Sequence, residues 1–344
     1  MERVSAEATP APPSPHRGPV VAIRDLSVEL RLRKRTVYPV RDVSLTIGRE
    51  ETVGLVGESG SGKTMFSLAI MRLLPQPVGK ITGGEIHFGG RDLVQASNAE
   101  IRRIRGNRIS MIFQEPMTSL DPLFTIGSQI VEAIRAHRET DRREARELAI
   151  AMLERVQIPS AAERFDNYPH ELSGGMRQRA MIAMGLCLRP ELLLADEPTT
   201  ALDVTLQAQI VELIAGLQAE MKMGVLLVTH NLAVVGEVAD RVAVMYAGEI
   251  VELAPTEELL DNPKHPYTQG LLRSIPKVES KAERLYVIPG RPPDLTRPAI
   301  GCPFEPRCPN AIQRCTTEHP ILEQASSNAR HSFRCWNPKP IDEQ

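Results

Sequence analysis

Gly57-Glu58-Ser59-Gly60-Ser61-Gly62-Lys63-Thr64 decides how this chain folds. The eight residues match G-x-x-x-x-G-K-[ST], and their flanks are those the pattern requires. Ahead of them, Thr52–Val56 is a short apolar strand that runs into Gly57. Behind them, Lys63–Leu74 has the spacing of a helix, with Pro75 and Pro77 as its stop. The glycines let backbone N–H groups wrap phosphates, with Ser59 and Ser61 completing the loop. Lys63 would bring positive charge to β and γ phosphates, and Thr64 a hydroxyl to Mg²⁺.

Outward from the loop, Val20–Leu30 and Val40–Ile47 read as strands on one side, and Glu85–Phe88 and Ile109–Phe113 on the other. From Ile126 to Cys187 the pattern turns helical, with Asp141–Val156 and Gly174–Cys187 its clearest helices. Strands return at Glu191–Ala195, Val225–Val228 and Val242–Tyr246, separated by helices at Val204–Met221 and Leu232–Val238. Strands alternating with helices predict an α/β fold on a largely parallel sheet, with a helical insertion at about residues 124–190.

Two further stretches carry chemistry. In Leu172-Ser173-Gly174-Gly175-Met176-Arg177-Gln178-Arg179 a glycine pair stands at the start of a helical run, where bare N–H groups form an anion site. Leu192-Leu193-Leu194-Ala195-Asp196-Glu197 is a buried strand that ends in two acids. Asp196 would hold Mg²⁺, and Glu197 would orient and polarise an attacking water.

The 344 residues carry a net charge of −2 and are 42% hydrophobic, which allows a sizeable core and gives a nucleic-acid partner no electrostatic support. No apolar run approaches the roughly 18 residues of a spanning helix. Met1–Gly18 is rich in Pro, Ala and Ser and lacks the apolar centre of a signal peptide, so residues 1–19 read as a disordered tail of a cytosolic chain.

In kind and in order these motifs resemble the ATP-binding subunits of ABC transporters, across roughly Val20 to Leu260. Leu172-Ser173-Gly174-Gly175 reads as that family's signature motif. Gln114 matches its Q-loop, Ala201-Leu202-Asp203 its D-loop, and His230, after Val225-Leu226-Leu227-Val228-Thr229, its switch histidine. The resemblance implies an ABC-type P-loop ATPase core over residues 20–260, with an antiparallel β subdomain beside the helical insertion. Gln114 would touch Mg²⁺ and the lytic water and report nucleotide state to membrane subunits. His230 would bond the γ-phosphate and hold Glu197 in place, Asp203 would lie at the ATP site, and Tyr38 would stack on adenine. Ser173, Gly174 and Gly175 would meet ATP held by the P-loop of another cassette, so one cassette is half of a working pair.

Residues 261–344 differ in composition. Pro263-Lys264-His265-Pro266-Tyr267-Thr268, with Leu271-Leu272 and Ile275-Pro276 after it, resembles the C-terminal region of oligopeptide and dipeptide importer ATPases, and His265 reads as structural. The resemblance implies two membrane-spanning permease subunits, a second and different ATPase subunit, an extracytoplasmic peptide-binding protein, and a place at the cytoplasmic face of the inner or plasma membrane. Nickel or metal-chelate importers share these features. The other reading, a soluble ABC ATPase of translation or DNA repair, usually brings two cassettes in one chain or a long coiled coil, and neither is in the sequence.

Four of the five cysteines, Cys302, Cys308, Cys315 and Cys335, fall in this proline-rich tail. Zinc ribbons favour tight C-x2-C pairs, which are absent. Four irregularly spaced thiolates suit an iron–sulfur cluster, and some peptide-importer ATPases with such a tail carry [4Fe–4S]. Zinc and free or redox thiols are the alternatives. Whatever binds would staple a segment with little core of its own. Cys187 stands apart and reads as a packed core thiol.

Overall fold

The computed structural model describes residues 18–115, 119–199, 203–275, 286–297, 300–326 and 328–340. Most of the N-terminal tail, together with Ala201, Leu202 and Pro276, lies outside these. In chain order come β1 (Val21–Leu32), β2 (Arg35–Ile47), β3 (Thr52–Val56), α1 (Lys63–Ile70), β4 (Gly79–Phe88), β5 (Arg91–Asp92), α2 (Asn98–Ile104) and β6 (Ile109–Ile112). Among the described residues, helices α3 (Ile126–Arg135), α4 (Arg142–Arg155), α5 (Ala161–Arg164) and α6 (Gly174–Leu186) follow. Then come β7 (Leu192–Asp196), α7 (Val204–Met221), β8 (Gly224–Thr229), α8 (Leu232–Val238), β9 (Arg241–Tyr246), β10 (Glu249–Pro255), α9 (Thr256–Asp261) and α10 (Pro266–Arg273). The tail adds α11 (Gln313–Thr317), β11 (Glu323–Ala325) and β12 (Asn328–Phe333).

The main sheet runs β11-β12-β10-β9-β3-β8-β7-β6. From β9 to β6 its neighbours are parallel, and β10, β12 and β11 extend it antiparallel. A second, antiparallel sheet has the order β2-β1-β4-β5. The parallel strands read as unbroken apolar runs because both faces are covered. Leu193, Ala195, Val225, Leu227, Val242 and Val244 face a core shared with the inserted helices. Their alternates Leu192, Leu194, Leu226, Val228, Ala243 and Met245 face a core shared with β1, β2, β4 and α1, as the two-residue period of a strand dictates.

Helices α3, α4 and α6 pack on one another between β6 and β7. Their starts are written in the sequence: Thr125, Asp141 and Ser173 each accept a hydrogen bond from a backbone N–H of the first turn.

Several boundaries differ from the sequence reading. Helix α1 stops at Ile70, before the prolines, where Arg72 turns to φ +51°. There Arg105 donates from Nε to the Met71 carbonyl (2.7 Å) and from Nη2 to that of Arg72 (2.6 Å), satisfying carbonyls a helix end leaves bare. Strands β2 and β4 begin well before Val40 and Glu85 because each pairs along most of β1. The proline-rich tail, with little core of its own in the sequence, places β12 against β10 and so joins the main sheet.

Candidate functional site

The Gly57–Thr64 loop forms where β3 ends at the carboxyl edge of the parallel strands. A Cβ on Gly57 would sit 2.2 Å from the Met245 carbonyl of β9, and one on Gly62 would sit 1.9 Å from that of Pro39 on β2. Gly62 also adopts φ +110° and Gly60 φ +82°, so the loop's path depends on glycine. Ser61 Oγ is buried without a hydrogen-bond partner among the described residues. Lys63 is buried and donates to the carbonyls of Gly57 (2.7 Å) and Glu58 (3.1 Å). Burial lowers its pKa, and the charges of Glu197, Asp196 and Glu58 oppose that. An unpaired buried hydroxyl and an ammonium resting on carbonyls fit a loop built to receive phosphate oxygens.

Register lines up the other acids and amides along the same edge. Ile112 lies beside Ala195, Asp196 beside Val228, and Val56 beside Thr229. Thr64 Oγ1 donates to Asp196 Oδ1 at 3.3 Å. Burial pushes the Asp196 carboxyl up to about 6, a shift the Thr64 hydroxyl opposes, the Glu197 charge adds to and Lys63 resists. A divalent cation at this pair would favour the charged form.

Glu197 follows in a left-handed conformation, φ +46°, anchored by its N–H on the Val228 carbonyl at 2.8 Å. Its two oxygens have separate partners. Gln114 Nε2 donates to Oε2 at 2.9 Å, and His230 Nδ1 lies 3.4 Å from Oε1. Gln114, Glu197 and His230, far apart in sequence, are thus brought together opposite Lys63, Thr64 and Asp196. Strain at a residue held by this many contacts points to a functional position.

Ser173, Gly174 and Gly175 lie elsewhere, at the start of α6, which packs on α3, α4 and β6, whereas α1 packs on β1, β2 and β7. A Cβ on Gly174 would meet nothing within 4 Å, and one on Gly175 would reach only the Leu206 side chain, at 3.5 Å. Neither glycine is needed for this chain's own packing. Asp203 caps α7, accepting from the Leu206 N–H at 3.0 Å; its D-loop companions lie outside the described residues. Tyr38 is half-buried on β2 beside Pro39, the residue whose carbonyl faces Gly62, with the Arg41 guanidinium 5.7 Å from its ring centroid.

A second set of contacts was not foreseen in the sequence. The Tyr267 hydroxyl accepts from the Glu58 N–H at 2.7 Å. The Arg307 guanidinium grips the Glu58 carboxylate with two bonds, of 2.7 and 2.9 Å. Tyr267 packs on Tyr246 of β9 with ring centroids 4.6 Å apart, and Phe304 on Tyr246 at 5.2 Å. His265 is buried and accepts from the Tyr267 N–H at 3.1 Å, a capping role in keeping with its structural reading. Burial lowers its pKa to about 4. Only tertiary proximity reveals this clamp; the Tyr in His265-Pro266-Tyr267 was the one visible signal.

The tail cysteines are free thiols drawn from separate segments. Cys302 N–H donates to the Cys315 carbonyl at 2.8 Å, and Cys335 follows β12. Burial pushes Cys302 and Cys335 up to about 12 and raises Cys308, and the charges of neighbouring tail cysteines push each the same way. Among the described residues no three His, Cys, Asp or Glu converge as ligands of one metal ion. Cys187, raised to about 12 by burial, is a core thiol bonded to the Met184 carbonyl.

A groove lined by Met71, Met111, Phe113, Met181 and Met184 lies between the strand edge and the inserted helices. Leu123 and Phe124, ahead of the first inserted helix, stand exposed. Among the described residues no helix is long and apolar enough to cross a membrane.

The chain matches the family model described as ABC transporter over residues 40–200, and the model described as oligopeptide/dipeptide transporter, C-terminal region, over residues 251–315. It is 53% identical to a putative peptide import ATP-binding protein of Brucella melitensis, over 93% of this chain and 97% of the relative. With the dipeptide transport ATP-binding protein of Bacillus subtilis it shares 47% identity, over 92% of this chain and 94% of that one. A solved dimeric ATP-binding cassette in a post-hydrolysis state, bound to ADP and Pi, superimposes with a TM-score of 0.62 at 27% identity, covering 69% of this chain and 98% of the other. Phosphate loop, paired acids, and the glutamine and histidine gathered on Glu197 therefore sit in a chain that belongs to the ATP-binding subunits of ABC transporters, in the branch that carries the oligopeptide/dipeptide transporter C-terminal region.

Proposed function

We propose that this chain hydrolyses ATP to power peptide import, as one ATPase subunit of an ABC transporter at the cytoplasmic face of the membrane. The carrying observation is the convergence of Gln114 and His230 on the two oxygens of Glu197, beside Lys63, Thr64 and Asp196. Lys63 exchanges its loop carbonyls for β- and γ-phosphate oxygens, while the N–H groups of Gly57–Thr64 cradle the chain of phosphates. Tyr38 offers its ring to the adenine. Thr64 and Asp196, with Gln114 at the edge, would hold Mg²⁺, which would supply positive charge against the phosphates. Glu197 orients the attacking water, and Gln114 and His230 hold the carboxylate in the position that does so.

Pairing is supported by the spare space around Gly174 and Gly175: nothing in this chain comes within 4 Å of a Cβ at the first, and only the Leu206 side chain approaches one at the second. Ser173, Gly174 and Gly175 would complete the ATP site of a second, different ATPase subunit. Two permease subunits would dock at the Met-lined groove beside Gln114, and an extracytoplasmic binding protein would select the peptide. Reconstituting the co-purified subunits in vesicles tests the reading. Peptide uptake should require ATP, and uptake of nickel or a metal chelate with no response to peptides would overturn the assigned cargo.

Cys302, Cys308, Cys315 and Cys335 would hold a [4Fe–4S] cluster. The all-sulfur donor set within one module supports it. Bound, it would supply a covalent staple across the proline-rich segment. Anaerobically purified protein should absorb in the visible range and contain iron and sulfide; stoichiometric zinc without that absorption would count against the cluster.

A further inference from the structure

We propose that Arg307 is a positioning residue for ATP binding, which holds the P-loop in its receptive form by neutralising and fixing Glu58 from the cysteine-rich module. Glu58 is the second residue of the Gly57–Thr64 loop, and the loop has no carboxylate other than this one. Its side chain is mostly buried, at 27% exposure, and that of Arg307 is 5% exposed. The two meet through a bidentate fork, 2.7 and 2.9 Å. Arg307 is itself held by the carbonyls of Pro289 (2.8 Å) and Ile288 (3.4 Å) and by the Tyr246 hydroxyl (3.4 Å). The backbone of Glu58 is pinned separately by Tyr267.

The chemistry follows from charge. An unpaired carboxylate at this point would stand beside a triphosphate, and the Glu58 charge already reaches Lys63, the amine that meets it. Arg307 cancels that charge with a planar fork that also sets the orientation of the loop, which a point charge does less well. Arg307 lies on the short turn Glu305–Arg307 that ends next to Cys308, so the module that gathers the thiols also sets the guanidinium. The integrity of the tail thereby reaches the nucleotide, through one side chain, with no contact between the thiols and ATP. The inference rests on the P-loop being the ATP site and is independent of what the thiols hold.

The test compares the full chain in its assembled transporter as wild type, Arg307→Ala, Arg307→Lys, Glu58→Gln and the Arg307→Ala/Glu58→Gln pair. ATP and a non-hydrolysable analogue are titrated, and KM and kcat are measured. Arg307→Ala should raise the Kd and KM for ATP roughly tenfold or more, because it leaves the other charge of a buried pair uncompensated. At saturating ATP its kcat should stay within about twofold, since the hydrolytic residues are untouched. Glu58→Gln keeps a hydrogen bond from Arg307 to the amide oxygen but leaves the guanidinium charge unmatched, so it should lose less affinity than Arg307→Ala, and the double variant should recover most of what Arg307→Ala loses. A merely structural arginine would show no such recovery. Arg307→Lys should fall between, and it carries the test if the alanine variant does not fold. Affinity in Arg307→Ala or Arg307→Lys equal to wild type, or a double variant no better than Arg307→Ala, overturns the proposal. A wild-type protein that binds no ATP would instead sink the proposed function.

Discussion

Replacing His331 by leucine should loosen the tail from the nucleotide-binding sheet by an amount the structure sets. His331 lies on β12 with its ring fully buried. Its Nε2 is 2.7 Å from Glu252 Oε1 and its Nδ1 3.3 Å from Glu258 Oε1. Burial works against a charged ring, but the hydrogen bonds and charges of Glu252 and Glu258 outweigh it and raise the pKa. Strand β12 pairs with β10 at two positions, Glu252 with Phe333 and Leu253 with Ser332, so this triad is a main part of the join. Taking one partner from a buried pair costs about 3–5 kcal/mol. Glu252 keeps the N–H groups of Lys264 and His265, at 2.6 and 2.9 Å, which moves the cost to the lower end. About 3 kcal/mol is roughly a hundredfold in local opening.

Hydrogen exchange of the β11 and β12 amides near pH 6 reads this directly, because local opening sets their protection. The sign with pH is fixed by the raised pKa. The stabilisation is full below the ordinary value near 6.5 and is lost as pH climbs through the folded value. Protection corrected for intrinsic exchange should therefore fall with rising pH in the wild type and stay flat in the leucine variant. Equal protection in the two proteins at pH 6, or a parallel pH response, would refute the reasoning.

Three other outcomes are expected. Glu197→Gln keeps the Gln114 contact and the phosphate site but loses the charge on the water, so kcat in the assembled complex should drop about 10²–10⁴-fold with ATP still bound. Phosphate release within threefold of wild type would remove Glu197 from its role. Gly174→Ala should leave the isolated chain as stable or up to about 1 kcal/mol more stable, while ATPase activity of the assembled transporter falls by at least tenfold; a thermal melt and an ATPase assay on the same preparation separate the two. Tyr38→Ala should raise the KM for ATP about tenfold or less, in line with the loss of one stacking contact, and an unchanged KM would move the adenine elsewhere.

The P-loop, the acid pair and the order of the central elements were legible because each is local. Thr52–Val56, Val204–Met221 and Leu232–Val238 form with the bounds their patterns predict. Strand β10 escaped notice because Glu249 and Glu252 interrupt its apolar run, and both are buried beside histidines of the tail that no local pattern announces. The cysteine-rich segment read as having little core of its own for a related reason. Its order comes from partners distant in sequence: β12 on β10, Phe304 on Tyr246, Arg307 on Glu58. Long-range pairing of short segments leaves no periodicity behind. The contact of His230 with Glu197 could be named from motif order, but that of Gln114, and the separate grip on each carboxylate oxygen, are facts of register along the strand edge.

The Glu58–Arg307 clamp also has a consequence for how the protein is made. The two residues are 249 positions apart. At about 5–20 residues per second, the ribosome delivers the arginine roughly 12–50 s after the glutamate. During that interval β3, α1 and the loop between them can fold, but the loop carries an uncancelled negative charge. A nascent cassette would meet cellular ATP with its phosphate cradle unfinished, and tight nucleotide binding would wait for Arg307 and the turn that carries it.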